Sequence, residues 1–448
     1  MAKFVKAKAT TGLPYAGLLL YLTMVYLLKF RWLRPAKSIG KLLQGLFSTN
    51  YSVNSVLAGV YSQMWNPNGE CKALMRIVPA NRHDIDLLAR SGLSAAYAGD
   101  VVSLAKLRDI AAQESPSLLS YFNGLLAFLN EQADYPVHFQ ESVRLFFNLE
   151  GAGSFDSRGK SVSISSKRHV ESDPKLPEFV RLAYNVRELA SIDEPLMVDC
   201  PSPTPPSLSD VLNGTPDTGL GRPDVIVLIS CSEGYLDVFS DYFIRTFRRK
   251  NSNIIHFHVL AEDVETTRDY LVALKERHSN IRYSIEAISG KSQTYITLAR
   301  YLICRDLMRR YNSDVLISDI DLRVDFDLRP ICRELKSKNF DFGLCDAGYS
   351  VPWAKFAAGL SYFRVANHAT DVYLELLSTY LTTVYSDGGF WTMDQTGMLM
   401  AHECMQARGH DFKMLNLYGL IDFRRLITVP KQLQRRKIKC KFRNGGPQ

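Results

Sequence analysis

The sequence has eight cysteines in 448 residues, but no two are close together. Cys71, Cys200, Cys231, Cys304, Cys332, Cys345, Cys404 and Cys440 are scattered along the chain. Structural zinc sites and small disulfide frameworks need clustered thiols, so the spacing argues against both. Cys231, Cys304 and Cys345 stand in apolar stretches, where a free thiol packs as a small hydrophobe, and a reducing compartment fits that use. Zinc-finger spacing is absent, as is a basic helix with a reading face, which argues against sequence-specific nucleic-acid binding. No small-residue cleavage site follows the first apolar run, so a cleaved leader is not expected. That run, Leu13 to Leu28, falls short of the roughly 20 residues needed to cross a bilayer unless Phe30, Trp32 and Leu33 join it.

What is present is the composition of a globular chain, 46% hydrophobic and 22% charged, with room for two or three domains. A net charge of +8 favours anionic partners without saying which. Lys3, Lys6 and Lys8 precede the apolar run, and Lys29, Arg31, Arg34 and Lys37 follow it. The run reads first as a buried helix of an N-terminal domain. The other reading is a membrane anchor or interfacial helix on an anionic membrane surface, whose charge balance would keep the rest of the chain cytoplasmic. The glycosylation triplets at Asn50 and Asn213 are short enough to arise by chance.

Residues 1–38 form this basic and apolar segment, and residues 39–195 read as a helical domain, repeat-like in places. Leu87, Leu88, Leu93, Ala96 and Tyr97 recur at helical spacing, as do Leu104, Leu107, Ile110 and Ala111. Asp100 and Ser117 are expected caps, and Ala95–Asp100 and Tyr121–Gly124 resemble the turns of helical repeats. Residues 196–222 are a linker, because Cys200-Pro201-Ser202-Pro203-Thr204-Pro205-Pro206-Ser207 cannot sustain helix or sheet bonding. Within 223–430, strands and helices alternate. Strands are expected at Val225–Ser230, Ile254–Leu260, Ile281–Ile288 and Val315–Ser318, and helices at Val238–Arg248, Thr266–Arg277 and Thr294–Tyr311. Such alternation predicts an α/β fold with a mixed, mainly parallel sheet flanked by helices, preceded by an all-helical N-terminal domain. Residues 431–448 are a basic tail.

The strongest chemical signal is Val315-Leu316-Ile317-Ser318-Asp319-Ile320-Asp321. A buried apolar run delivers two carboxylates to the carboxyl end of a strand, where α/β sheets bind ligands. Alternation along a strand puts Asp319 and Asp321 on one face, roughly 7 Å apart. Two such oxygen ligands suit Mn²⁺ or Mg²⁺ with phosphate oxygens completing the shell. Read blandly, these are two exposed aspartates ending a strand. Asp325-Phe326-Asp327 is a second match just downstream, without the apolar run leading into it. A haloacid-dehalogenase-type phosphatase would want Thr or Val where Arg323 stands.

Strand, Ser-rich turn, long helix, strand and Asp-x-Asp together resemble the GT-A-fold nucleotide-sugar glycosyltransferases, nearest to the glycogenin-type retaining enzymes. The resemblance covers about Val225 to Leu426. It implies transfer of a sugar from a metal-bound nucleoside-diphosphate sugar, usually a uridine diphosphate sugar with Mn²⁺, to an acceptor hydroxyl. It implies nucleoside contacts from Ser232, Glu233 and Tyr235, where the residues alone show a capped turn. Phosphate contacts would come from Lys291, Tyr295 and Arg300, although Arg300 also reads as a helix-surface charge. Phe356–Phe363 resembles the strand that usually carries Asn-Ala-Gly, with Gly359 in place and Ala357 where the asparagine should be. Asp394 and Gln395 resemble the Asp-Gln element beside the transferred sugar, although Asp394 also reads as an N-cap. Asp346 would face the sugar. The late histidine that often ligates the metal is missing, with Asn416 a weak substitute. His256 and His258 read as packed side chains. Two alternatives remain: a sugar nucleotidyltransferase, which normally carries a basic residue in the loop after its first strand, and a non-catalytic nucleotide-sugar-binding module.

Overall fold

The computed structural model describes residues 11–29, 32–64, 66–132, 134–145, 224–288, 293–347, 351–386, 393–421, 426, 429–430 and 432–433. The Pro-rich linker, the basic tail, Lys291 and the expected helical stretch after residue 145 lie outside them. The chain divides into two compact units, one helical and one built on a sheet.

The described helices of the first unit are α1 (Tyr15–Lys29), α2 (Leu33–Leu46), α3 (Tyr51–Gln63), α4 (Pro67–Met75), α5 (Ile85–Tyr97), α6 (Val101–Glu114), α7 (Pro116–Leu129) and α8 (Tyr135–Leu145). Asx and Ser side chains start most of them. Asn50, Asn66, Asp84 and Asp100 each accept a backbone N–H from the first turn, satisfying a donor that the helix cannot. The cap of α7 is Ser115, whose Oγ accepts from Leu118 N at 3.2 Å, and not the expected Ser117. Pro116 explains the shift, because proline suits the first helical position and moves the start upstream. Ala95–Asp100 does close a turn, with Gly99 at φ +66° and Asp100 N bonded to Ala95 O at 2.9 Å, a left-handed helix stop that glycine adopts cheaply. Tyr121–Gly124 is no turn; it lies inside α7. The inner face of α1 is core, with Leu18, Met24 and Leu27 packed together with Leu43, Val53 and Val60.

The second unit is an α/β fold: a mostly parallel, mixed seven-stranded sheet flanked by helices. Its strands are β1 (Val225–Ser232), β2 (Ile254–Ala261), β3 (Ile281–Ala287), β4 (Asp314–Ser318), β5 (Phe342–Asp346), β6 (Phe356–Phe363) and β7 (Met414–Asn416), in the order β3-β2-β1-β4-β6-β5-β7. Only β6 runs against the others. Between the strands run α9 (Glu233–Phe247), α10 (Val264–Arg277), α11 (Gln293–Leu302), α12 (Cys304–Tyr311) and α13 (Arg329–Ser337), with α14 (His368–Ser386) and α15 (Met393–Ala407) after β6. The expected long helix 294–311 is thus two helices, interrupted at Ile303. β1 is hydrogen-bonded to parallel neighbours on both sides, and its run of Val, Ile and Leu is buried throughout, as a central strand covered on both faces requires. The chain moves outward from β1 to β2 and β3, then returns to β4 on the other side. That reversal is the topological switch point, where α/β sheets open a crevice at their carboxyl ends.

Candidate active site

Asp319 stands one residue past β4, at the switch point. The ladder runs on to it, with Asp319 N bonded to Gly359 O at 2.9 Å. Gly359 lies against the same carboxylate: a Cβ there would stand 2.8 Å from Asp319 Oδ2, so the absent side chain leaves room for that oxygen. Oδ1 of Asp319 takes Nη1 of Arg300 in a short ion pair. Arg300 closes a second pair through Nη2 with Asp394 Oδ2 at 2.8 Å.

Arg300 is therefore no helix-surface charge. It is 4% exposed and sits in the last turn of α11, while Asp394 is equally buried in the first turn of α15. Burial works against the guanidinium charge, but Asp319 and then Asp394 more than offset it and hold it charged. Burial likewise pushes the Asp394 carboxyl above the usual carboxylate range, against the pull of Arg300. The adjacent Tyr301 anchors the same turn, its hydroxyl donating to Ala358 O at 3.0 Å. Asp394 is not the cap of α15; it lies inside the first turn, and its Oδ1 accepts from Gln395 N at 2.9 Å. Arg300 thus joins the end of β4 to the start of α15, its partner Asp394 lying 94 residues away in sequence.

The other expected residues are distributed around the same sheet edge. Asp321 follows in the turn after β4, partly buried. Ser232 ends β1 and caps α9, its Oγ accepting from Tyr235 N at 3.4 Å. Glu233 turns to β2, its Oε2 accepting from Glu262 N at 3.2 Å and Asp263 N at 3.4 Å. Tyr235 rests on Phe239, ring centroids 5.6 Å apart. Asp346 ends β5, and its carbonyl accepts from Asn416 Nδ2 at 3.2 Å. Tyr295, in the first turn of α11, donates to Glu286 Oε1 at 2.6 Å.

That last bond exposes residues that the sequence reading passed over. Glu286 also meets His258 Nε2 at 3.1 Å, and Ser284 Oγ links His258 Nδ1 (2.9 Å) to His256 Nε2 (3.0 Å). His256 and His258 are packed as expected, fully buried, and burial holds His256 neutral with its pKa pushed down to about 3. Polar residues at every second position of both β2 and β3, in otherwise apolar stretches, were the available signal. The row ties β3 to the first turn of α11, the helix that carries Arg300.

The residues at the switch point suit a divalent cation in part. Mg²⁺ and Mn²⁺ take one or two carboxylates plus phosphate oxygens, and the Asp319 side chain keeps 38% of its surface exposed with Oδ2 in the space that Gly359 leaves open. Among the described residues no three His, Cys, Asp or Glu side chains group as a metal site, so a donor phosphate would have to complete the shell. The Nε of Arg300, buried without a hydrogen-bond partner, is a further donor that an oxygen of a ligand would satisfy.

No family model and no curated protein matches this chain. Among the solved structures found similar, several are named as transferases of sugars. WbbM, a bifunctional glycosyltransferase, is 20% identical over 43% of this chain and 38% of its own, with a TM-score of 0.31. GlyE of Streptococcus pneumoniae is 17% identical over 45% of this chain and 47% of its own, also with a TM-score of 0.31. The mannosyltransferase PcManGT of Pyrobaculum calidifontis, in complex with GDP-Man and Mn²⁺, is 10% identical over 63% of this chain and 96% of its own, with a TM-score of 0.24. This chain spans less than half the length of WbbM or GlyE. At such scores the likeness assigns no activity.

Proposed function

We propose that the sheet unit is a glycosyltransferase that binds a nucleoside-diphosphate sugar, a uridine diphosphate sugar by the sequence resemblance, at the carboxyl ends of β1 and β4. The observation that carries this reading is the buried Arg300 bridge between Asp319 and Asp394. It fixes a carboxylate from the Asp-x-Asp element and one from the Asp-Gln element around a single cation, at the edge where such sheets take ligands. Structural packing alone gives little reason to bury Arg300 and Asp394, because a well-packed apolar substitute is often as stable.

In this reading the acceptor hydroxyl oxygen attacks the anomeric carbon while the bond to the diphosphate breaks, and the diphosphate leaves with the electron pair and takes up the hydroxyl proton. Asp319 and Asp321 would hold Mn²⁺ or Mg²⁺, which neutralises charge on the departing group. Arg300 is a positioning residue: it orients both carboxylates. Asp394, Gln395 and Asp346 would take sugar hydroxyls, Asp394 and Gln395 also steadying charge at the anomeric carbon. Lys291, Tyr295 and the Gly359 approach would serve the phosphates and sugar, and Ser232, Glu233 and Tyr235 would border the nucleoside.

One observation favours a second reading, a non-catalytic nucleotide-sugar-binding module: Arg300 already neutralises Asp319, as a bound cation would. A panel of nucleotide-sugars incubated with purified chain and Mn²⁺ separates the two. Metal-dependent release of nucleoside diphosphate supports the transferase, binding without release supports the module, and neither binding nor release contradicts both.

A further inference from the structure

We infer that α1 and α2 of the helical unit dock on an anionic lipid surface, lying on it without crossing it. The inference is independent of what the sheet unit catalyses. While Leu18, Met24 and Leu27 turn one face of α1 into core, the opposite face is also apolar and open to solvent. Tyr15, Leu19 and Tyr26 are 64%, 62% and 58% exposed, and their spacing places them on one stripe. Trp32, just before α2, is also 61% exposed, and Leu42 and Leu46 of α2 are exposed at helical spacing. Most of the exposed large hydrophobic side chains among the described residues fall between Tyr15 and Tyr51. Concentrated exposure of this kind marks an interaction surface.

Charge selects the partner. The sequence has no Asp or Glu before Glu70, while eight Lys or Arg residues precede it. Arg34 and Lys41 are exposed on α2, between and beside the apolar positions. A second copy of this chain would set like charge against like on the same face, which disfavours self-association. Anionic headgroups instead satisfy the cations while the acyl boundary takes Leu19 and the rings of Tyr26 and Trp32, whose polar tips suit the headgroup level. No helix among the described residues is long and apolar enough to cross a membrane, so the contact is interfacial.

The test is flotation of the full chain with phosphatidylcholine vesicles, with and without phosphatidylserine. Binding is expected only where phosphatidylserine is present, and it should weaken as salt is raised. Leu19→Ser/Tyr26→Ser/Trp32→Ser should lose flotation. Arg34→Gln/Lys41→Gln should weaken it by about 25-fold, since each cation near an anionic surface contributes about fivefold. All five side chains are exposed, so circular dichroism should be unchanged in both variants. Equal flotation of wild type and both variants would overturn the inference. So would flotation that ignores phosphatidylserine, no flotation at all, or a dimer in light scattering that the triple variant dissolves without any vesicle binding.

Discussion

Asp319-Ile320-Asp321 and Asp325-Phe326-Asp327 are the same kind of tripeptide six residues apart, and the fold treats them differently. In the second, each aspartate is answered locally. Arg323 binds Asp325 at 2.7 Å and Arg329 binds Asp327 at 2.6 Å, both only two residues away. Such pairs tie down a loop. Asp319 is answered from α11, and through Arg300 from α15. Long-range pairing of buried charge is expensive to build, because each ion must be desolvated. Where it occurs at a sheet's carboxyl edge, the arrangement points to a site, whereas the local pairs point to loop structure.

The largest effect should come from breaking the long-range bridge. Arg300→Met leaves Asp394 buried without its partner and should lower stability by about 3–5 kcal/mol, read by urea unfolding. Next, Asp319→Asn/Asp321→Asn should reduce metal-dependent donor turnover per folded molecule by about 10²–10³-fold, while Asp325→Asn/Asp327→Asn should leave turnover near wild type. Equal losses in both doubles would erase the distinction. Asp325→Asn alone should cost about 1–3 kcal/mol, since its carboxylate is buried against Arg323, and none of that loss should depend on metal.

The smallest and sharpest comparison is in acid. Burial raises the Asp394 carboxyl above the unfolded value, so the native state holds its proton longer. Its contribution is greatest below about pH 3.8 and falls as pH rises through the folded pKa. The Arg329 hydrogen bonds lower Asp327, so its contribution is present above the unfolded pKa and is lost as pH falls through the folded one. The gap between wild type and Asp394→Asn should therefore shrink with rising pH, and the gap to Asp327→Asn should grow. Unfolding midpoints of both variants across acidic pH read the two slopes directly.

Much of the sheet unit was legible because its signals are local. The Val, Ile and Leu runs of β1, β2 and β4 are short, and they are buried on both faces, which is how a central parallel strand reads. The N-terminal apolar run was legible only in half: its periodic Leu18, Met24 and Leu27 do pack, but one helix face hides what the other exposes. Ser115 was missed because Ser117 is an equally good capping residue in isolation, and only Pro116 between them decides. The pairing of Arg300 with Asp394 could not be read, since a lone arginine in a helix pattern carries no mark of a partner 94 residues away. The break at Ile303 leaves no proline or glycine, so nothing local announces it. Tertiary contacts decide such features, and a window of a few residues does not hold them.

The most direct test of the central claim is calorimetric titration of uridine diphosphate into the full chain, with and without Mn²⁺. Wild type and Asp325→Asn/Asp327→Asn should bind tightly only with Mn²⁺, and Asp319→Asn/Asp321→Asn should lose that metal-dependent gain. Unchanged Mn²⁺-dependent binding in the Asp319→Asn/Asp321→Asn variant would contradict the account.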